Sequence, residues 1–495
     1  VLADLPAPVL RAQTIQPRMS PYDQVDFAPL AGADRAIDPV SLADIYRNSF
    51  VYPPHSIYRN VKLATFGFDP AQDLRAVRDY LPPDALFDRA PRPGARSSDA
   101  WLDPFHQILC AAFDRSCAGL STPWMLQSGG KDSTALAIAA ASVRPDVACL
   151  TYLGGREENE VESARAIAKQ LGLRHEAMVC DAGRAYDRYL AAVPTMPLVT
   201  ADFALLSYVD ALTEIKAMGG DGAIDGVGAD VYFGAPLNRT ARMLQRMTLQ
   251  LRLPPRAVEL LLQRLNSFRL GYALSSLQMH PFERMFPGSR FSDTEVDELF
   301  GQPLSQQSKQ RRALYQTALG RLGSAEDQRV LSLIVADAAG GLPKGLYSAR
   351  ALGMQTVYPF CDRQLMRWVC EVLPPELRMD AQRGINKVLV RAYIARQFGD
   401  LPYVTRKGSF RFDLRALAAK RFDQVLAFAE QASDHVPGAP VWLRRNHRLM
   451  GHKSQASKFY LLAVTLPWLC VHGDRQPSNQ APAAAELAAA GLDMR

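Results

Sequence analysis

The sequence predicts an α/β protein built on a doubly wound parallel sheet, with a largely helical C-terminal half. Three observations carry this. Between Pro123 and Cys180, short apolar runs alternate with helix-periodic stretches, the pattern left by parallel strands joined through crossover helices. Beyond residue 240, helical periodicity dominates. The make-up, 48% hydrophobic, 22% charged and 9% aromatic over 495 residues, is that of a globular chain long enough for two to three domains.

Residues 1–100 are rich in proline and loop signals, among them Pro53-Pro54, Pro82-Pro83 and Arg92-Pro93-Gly94, with only short candidates such as a helix at Leu42–Tyr46. We expect a small, reduced N-terminal lobe there, standing alone or wrapping the main domain. From Trp101 the pattern sharpens, and a main domain is expected over 101–475. Pro123–Gln127 reads as a strand, Ser133–Ser142 as an Ala-rich helix and Asp146–Leu153 as a second strand. Asn159 is placed to cap a helix in which Val161, Ala164, Ala168 and Leu171 share one face and Gly172 is the stop. Arg174–Cys180 is a third strand and Ala223–Asp225 a short fourth. Residues 476–495 form an Ala/Pro-rich tail, and no internal repeat is visible.

Several classes are excluded. No uninterrupted apolar stretch approaches the roughly eighteen residues of a membrane span, and Val1–Pro6 lacks a basic-then-apolar signal segment. A net charge of +7 without a long Lys/Arg run describes a solvated surface rather than a nucleic-acid footprint. The seven cysteines are odd in number, irregularly spaced and free of any C-x-x-C. They argue against a disulfide framework or zinc site and for a reducing cytoplasm, most of them serving as small buried apolar groups.

The chemistry concentrates in Ser128-Gly129-Gly130-Lys131-Asp132-Ser133, between a predicted strand and a predicted helix. Two glycines let the backbone turn so that successive N–H groups converge on an anion, and the helix N-terminus behind adds its dipole. Ser128 and Ser133 add hydroxyls, Lys131 a positive charge and Asp132 a metal ligand. The spacing excludes a G-x-x-x-x-G-K-[ST] loop, but the whole string in strand–loop–helix context reads as a phosphate site.

That string resembles the pyrophosphate-binding loop of the ATP pyrophosphatases, and the chain resembles the synthetase domain of asparagine synthetases and their relatives, the β-lactam synthetases and lasso-peptide cyclases. Further stretches follow in the family's order: Asn159-Glu160 with Ala164-Arg165 and Leu171–His175; Gly226-Val227-Gly228-Ala229-Asp230 with Phe233-Gly234; Gly353-Met354-Gln355 with Tyr358–Asp362; and the lysine motifs Asn386–Arg391 and Thr405–Phe410. The match spans roughly 101–415, and Ser41–Val61 resembles the segment that links the family's glutaminase half to its synthetase half. A glutamine-hydrolysing member starts with a nucleophilic cysteine, whereas this chain starts with Val1 and its first cysteine is Cys110. We therefore expect no glutaminase site in residues 1–100, although cropping or maturation would give the same appearance.

The resemblance implies the adenine nucleotide alpha-hydrolase (PP-loop) fold and an AMP- and pyrophosphate-forming amide ligase. A carboxylate attacks the α-phosphorus of ATP, and an amine then displaces AMP. It implies ATP and Mg²⁺, with Asp132 and Asp230 as metal ligands and Lys387 and Lys407 as catalytic lysines. Lys387 would hold the departing pyrophosphate, and Lys407 would meet charge as it develops. Backbone at Leu126, Tyr152 and Gly226 would line the adenosine site. Three family acids are replaced, by Val227, Val231 and Gln355, which we expect to weaken the acceptor half. Either Asp225 or a histidine such as His175 then supplies the acid/base, or the nucleophile needs little help, or this chain activates its acceptor and a partner protein in the same pathway completes the reaction. Two other readings compete with a ligase acting on a metabolite or peptide. One is an RNA-modifying ATP pyrophosphatase, favoured by Lys131 but lacking a basic face and a cysteine pair. The other is a degenerate nucleotide-binding partner protein.

Overall fold

A computed structural model describes residues 9–11, 35–64, 98–154, 159–234, 290–313, 325–380, 383–399 and 412–473, with scattered positions between them. The architecture is an all-parallel five-stranded sheet with helices on both faces. Its strands are β1 (Pro123–Leu126), β2 (Ala148–Leu153), β3 (Arg174–Val179), β4 (Gly222–Ile224) and β5 (Gln355–Val357), in the order β3-β2-β1-β4-β5. The register pairs Met125 with Cys149 and with Ile224, Cys149 with His175, and Ala223 with Thr356.

Alternation along the strands builds two cores. Met125, Cys149 and Ile224 face α2 (Asp99–Cys117) and α3 (Lys131–Val143) through residues such as Phe105, Leu109 and Leu136. Trp124, Leu126, Leu150, Tyr152 and Ala223 face the other way, onto α6 (Leu205–Ala217) through Tyr208, Ala211, Leu212 and Ile215. A sheet covered on both faces needs apolar side chains at every position, hence the unbroken apolar run of β1. The crossover α4 (Asn159–Gln170) buries Val161, Ala164, Ile167 and Ala168, and the chain turns back at Gly172.

The helical half has its own large core, shared by α5 (Ala182–Ala192) and two later helices, 414–431 and 453–472. The last of these is buried around its circumference, with Leu461, Leu462, Ala463 and Val464 all at 0% exposure. Described N-terminal residues from Leu30 to Val61, among them Leu42, Ile45, Tyr46 and Tyr58, join this core, while Phe50 and Tyr52 pack in a separate cluster with Phe282 and Tyr315. Helix α1 (Pro39–Asn48) starts where the Asp38 side chain accepts Val40 N–H and Pro39 takes the first helical position, and it is buried from Ser41 to Asn48. The Tyr46 hydroxyl lies 2.8 Å from Thr465 Oγ1, across 419 positions of sequence. The tail at 476–495 lies outside the described residues. Among those described, no helix is long and apolar enough to cross a membrane.

β1 leads to β2 and β3 on one side, while β4 and β5 lie on the other. The loops leaving β1 and β4 therefore diverge and leave a crevice at the carboxyl edge, the place where doubly wound sheets bind ligands.

Candidate functional site

Ser128–Ser133 occupy that crevice, between β1 and α3. Gly129 has φ +65°, and a Cβ there would lie 3.1 Å from Ser163 Cβ on α4, so both conformation and space call for glycine. The turn closes on itself. Gly130 N–H donates to Ser128 Oγ (3.3 Å), Ser128 N–H to Ser133 Oγ (3.2 Å), and the Ser133 hydroxyl to the Gly130 carbonyl (3.2 Å). Thr134 holds the same carbonyl with its hydroxyl at 2.7 Å. Gly130 is the cap residue of α3 and brings no side chain across the helix N-terminus, leaving its positive end facing the loop mouth.

The crevice's other wall comes from β4. Gly226 lies so close to the loop that a Cβ would sit 3.2 Å from Asp132 Cβ. Two residues on, Gly228 has φ +103° and starts α7 (Ala229–Phe233), which carries Asp230. Lys387 completes the group: its Nζ lies 2.5 Å from Asp132 Oδ1 and 2.6 Å from Asp230 Oδ1. Its backbone is left-handed (φ +58°), uncommon for a residue with a side chain. It is pinned there because Lys387 N–H donates to Arg378 O (2.8 Å) and Phe233 O (3.2 Å). Burial alone would lower the ammonium's pKa, but Asp132 and Asp230 outweigh it and hold the group above the ordinary lysine range.

Two carboxylates converging beside a phosphate loop suit Mg²⁺, which takes one or two carboxylates plus phosphate oxygens. The Asp230 side chain is 48% exposed, so it is reached from the ligand side while Lys387 backs it from within.

Leu126 ends β1, Tyr152 is next to last in β2 and Gly226 follows β4, so all three lie along the carboxyl edge. The Tyr152 hydroxyl donates to Asp210 Oδ2 (3.0 Å), which Arg184 and Arg188 hold at 2.9 and 2.8 Å, so this side chain is tied below the crevice. Of the sequence-predicted residues, Leu126, Ser128, Gly129, Gly130, Lys131, Asp132, Ser133, Tyr152, Gly226, Asp230 and Lys387 gather here. Lys407 lies outside the described residues.

The replaced acids need a correction. Gln355 sits at the start of β5, paired with Gly222 at the start of β4, so it is exposed on the edge opposite the crevice. Val231 is buried in the core beneath α7. Only Val227 lies in the loop itself. His175 also falls away from the acceptor side, near the start of β3. Its Nε2 lies 2.8 Å from Thr151 Oγ1, whose hydroxyl donates to the Gln127 carbonyl (2.6 Å). The Thr151 hydrogen is thus spoken for, and Nε2 is the protonated nitrogen. Burial, then Arg165, lowers the imidazole's pKa. Asp362, from the same motif as Gln355, proves structural: Arg115 grips it at 2.7 and 3.0 Å.

Beyond Asp230, Asp337 lies within electrostatic reach of Asp202, Asp225 and Lys344. Sequence reasoning names Asp225 but misses Asp202 and Asp337, which come from separate segments and belong to no contiguous motif.

Residues 124–434, more than half of the chain, match the family model described as asparagine synthase. No curated protein matches the sequence. The parallel sheet, the loop after its first strand and the order of the motifs agree with that match, and the chain belongs to the asparagine synthase family.

Proposed function

We propose that the protein activates a carboxylate with ATP, releasing pyrophosphate, and joins the acyl group to an amine with release of AMP. The observation that carries this is the convergence of Asp132, Asp230 and the Lys387 ammonium at the mouth of the Ser128–Ser133 loop. A substrate carboxylate oxygen attacks the α-phosphorus, and the bond to the bridging oxygen of pyrophosphate breaks. Negative charge then grows on the leaving group, where the α3 N-terminus and Lys131 stabilise it. Lys387 stays protonated and faces the same charge. Mg²⁺, held by Asp132 and Asp230, would neutralise the triphosphate. Lys407 remains assigned by its motif to the charge that develops during the two steps.

The nitrogen comes from a free amine rather than from glutamine hydrolysed on this chain. The seven cysteines are buried or half-buried thiols outside any disulfide, and burial pushes those of Cys117 and Cys149 up to about 12, which suits inert side chains.

The test supplies ATP, Mg²⁺ and fractionated cell extract and follows nucleotide products. AMP and pyrophosphate are expected. Asp132→Asn and Asp230→Asn should each lower pyrophosphate release by about a hundredfold or more while unfolding remains cooperative. ADP and phosphate as sole products would overturn the reading.

A further inference from the structure

Lys387 reaches two carboxylates from a backbone conformation that lysine ordinarily avoids. Its neighbours hold it there. The chain enters through a two-stranded antiparallel ribbon, β6 (Met379–Asp380) and β7 (Ile385–Asn386), in which Met379 pairs with Asn386. It leaves as α8 (Val388–Phe398), with Lys387 as the cap residue at φ +58° and ψ +40°. The peptide that joins Asn386 to Lys387 is gripped at both ends. Its N–H donates to Arg378 O and Phe233 O, and its carbonyl accepts from Arg391 Nε–H at 2.8 Å. The plane of this peptide sets φ of Lys387. A flip of the plane would let the lysine return to negative φ and carry its ammonium away from Asp132 and Asp230.

Arg391 lies one turn into α8, and helical side chains lean toward the N-terminus, so its guanidinium falls back over β7. Besides the Asn386 carbonyl it meets the Asn386 side chain, with Nη2 donating to Oδ1 at 3.4 Å. That contact settles which way the amide points. Oδ1 faces Arg391, and Nδ2 donates to the Gly234 carbonyl at 2.9 Å. Gly234 ends α7 with φ +81°, and a Cβ there would lie 3.1 Å from Met379 Sδ, so the helix end is packed onto β6. A line of hydrogen bonds thus runs from Arg391 through Asn386 to the helix that carries Asp230. Among the described residues Arg391 makes no ion pair, and both of its side-chain hydrogen bonds go to Asn386.

We propose that Arg391 and Asn386 are positioning residues for Lys387. Together they lock the Asn386–Lys387 peptide and fix α7 against the start of α8, so that the ammonium stands at the phosphate loop before ATP arrives. The proposal rests on the ligase reading for what the lysine then does, which is to face the charge growing on departing pyrophosphate. An ammonium already in place needs no rearrangement as that charge develops.

The test reads the lysine itself. The full chain, without nucleotide, is treated with a trace of acetic anhydride, and acetylation of each lysine is measured by mass spectrometry. Arg391→Lys keeps the charge but lacks the planar fork that reaches two oxygens. Asn386→Asp keeps the shape and the contact with Arg391 but has no proton for the Gly234 carbonyl. Each should raise acetylation of Lys387 by about fivefold or more, because a lysine released from its carboxylates exposes a neutral amine more often. Lys62 and Lys344, also buried, serve as internal references and should not change. With ATP, Mg²⁺ and extract, both variants should lower pyrophosphate turnover by about tenfold or more and leave KM for ATP within about twofold. Substitutions at two residues keep the outcome from hanging on the folding of one. Unchanged labelling of Lys387 in both variants, or a parallel rise at Lys62 and Lys344, overturns the positioning role whatever the nucleotide products are. If the wild type releases no pyrophosphate the ligase reading falls, and the labelling still decides what holds Lys387.

Discussion

Lys387 shows what one residue does when two loops depend on it. Its ammonium screens Asp132 from Asp230, and both carboxylates point at it. Lys387→Met keeps the stem and removes the charge, leaving two carboxylates to repel each other. Breaking a buried pair costs about 3–5 kcal/mol, but Asp230 is half exposed, so a loss of about 1–3 kcal/mol is expected. The variant should also respond more strongly to Mg²⁺ without nucleotide, since a divalent ion can now relieve the repulsion. Thermal unfolding of both proteins across a MgCl₂ series checks this, and identical shifts would count against a shared carboxylate site. The loop residues were legible in the sequence because the six positions are contiguous and the backbone alone makes the site. What Lys387 touches was not, because Asp132, Asp230 and Lys387 meet only after the sheet has formed.

Among the elements, the strand-to-helix turns carry the constraint. Gly228 has φ +103°, and a Cβ there would lie 2.8 Å from Cys361 Sγ, with Phe360 close behind. Gly228→Ala combines backbone strain with overpacking, a cost of about 2–4 kcal/mol, and displaces Asp230 two residues on. Gly172 is the control. It also has positive φ (+72°) but nothing stands within 4 Å of its would-be Cβ, so Gly172→Ala should cost only about 1 kcal/mol. Urea unfolding and the affinity for a fluorescent ATP analogue measure both, and equal losses in the two variants would contradict the close approach at Gly228. The elements from Pro123 to Val179 match their sequence patterns to within a few residues, because strands covered on both faces and amphipathic crossovers leave strong local signals. β5 left none. Its three residues are too few for alternation, and it is a strand only because β4 pairs with it. α1, read as Leu42–Tyr46, extends over Pro39–Asn48 because Asp38 and Pro39 supply a start that apolar periodicity alone does not mark.

At the scale of the whole molecule, the N-terminal residues are tied into the helical half by buried charge as well as by apolar packing. Arg47 reaches Glu283 (3.0 Å) and Asp293 (2.9 Å), and Arg312 reaches Glu283 from another side (2.8 Å). Arg311 spans Asp38 and Asp44, the latter at 2.8 Å and fully buried. Loop-rich composition around this segment predicted a reduced lobe, and it concealed the tie because ion pairs across some 270 positions have no local signature. Arg311→Met tests how much the tie contributes and gives it a pH signature. Burial pushes the Asp44 carboxyl up to about 6 even with Arg311 present, whereas Arg311 outweighs burial at Asp38 and holds that carboxyl below its ordinary value. Without the guanidinium, both folded-state pKa values rise above their unfolded ones. A carboxyl raised on folding stabilises below its unfolded pKa and loses that contribution as pH climbs through its folded pKa. At pH 5 the orphaned acids can take up protons; at pH 8 they must stay charged and unpaired or the segment must open. The variant should therefore lose about 3–5 kcal/mol at pH 8 and measurably less at pH 5, read from urea unfolding of the full chain at the two values. A loss that is the same at both would mean that Asp38 and Asp44 find other partners, and that Arg311 holds the N-terminal segment by packing alone.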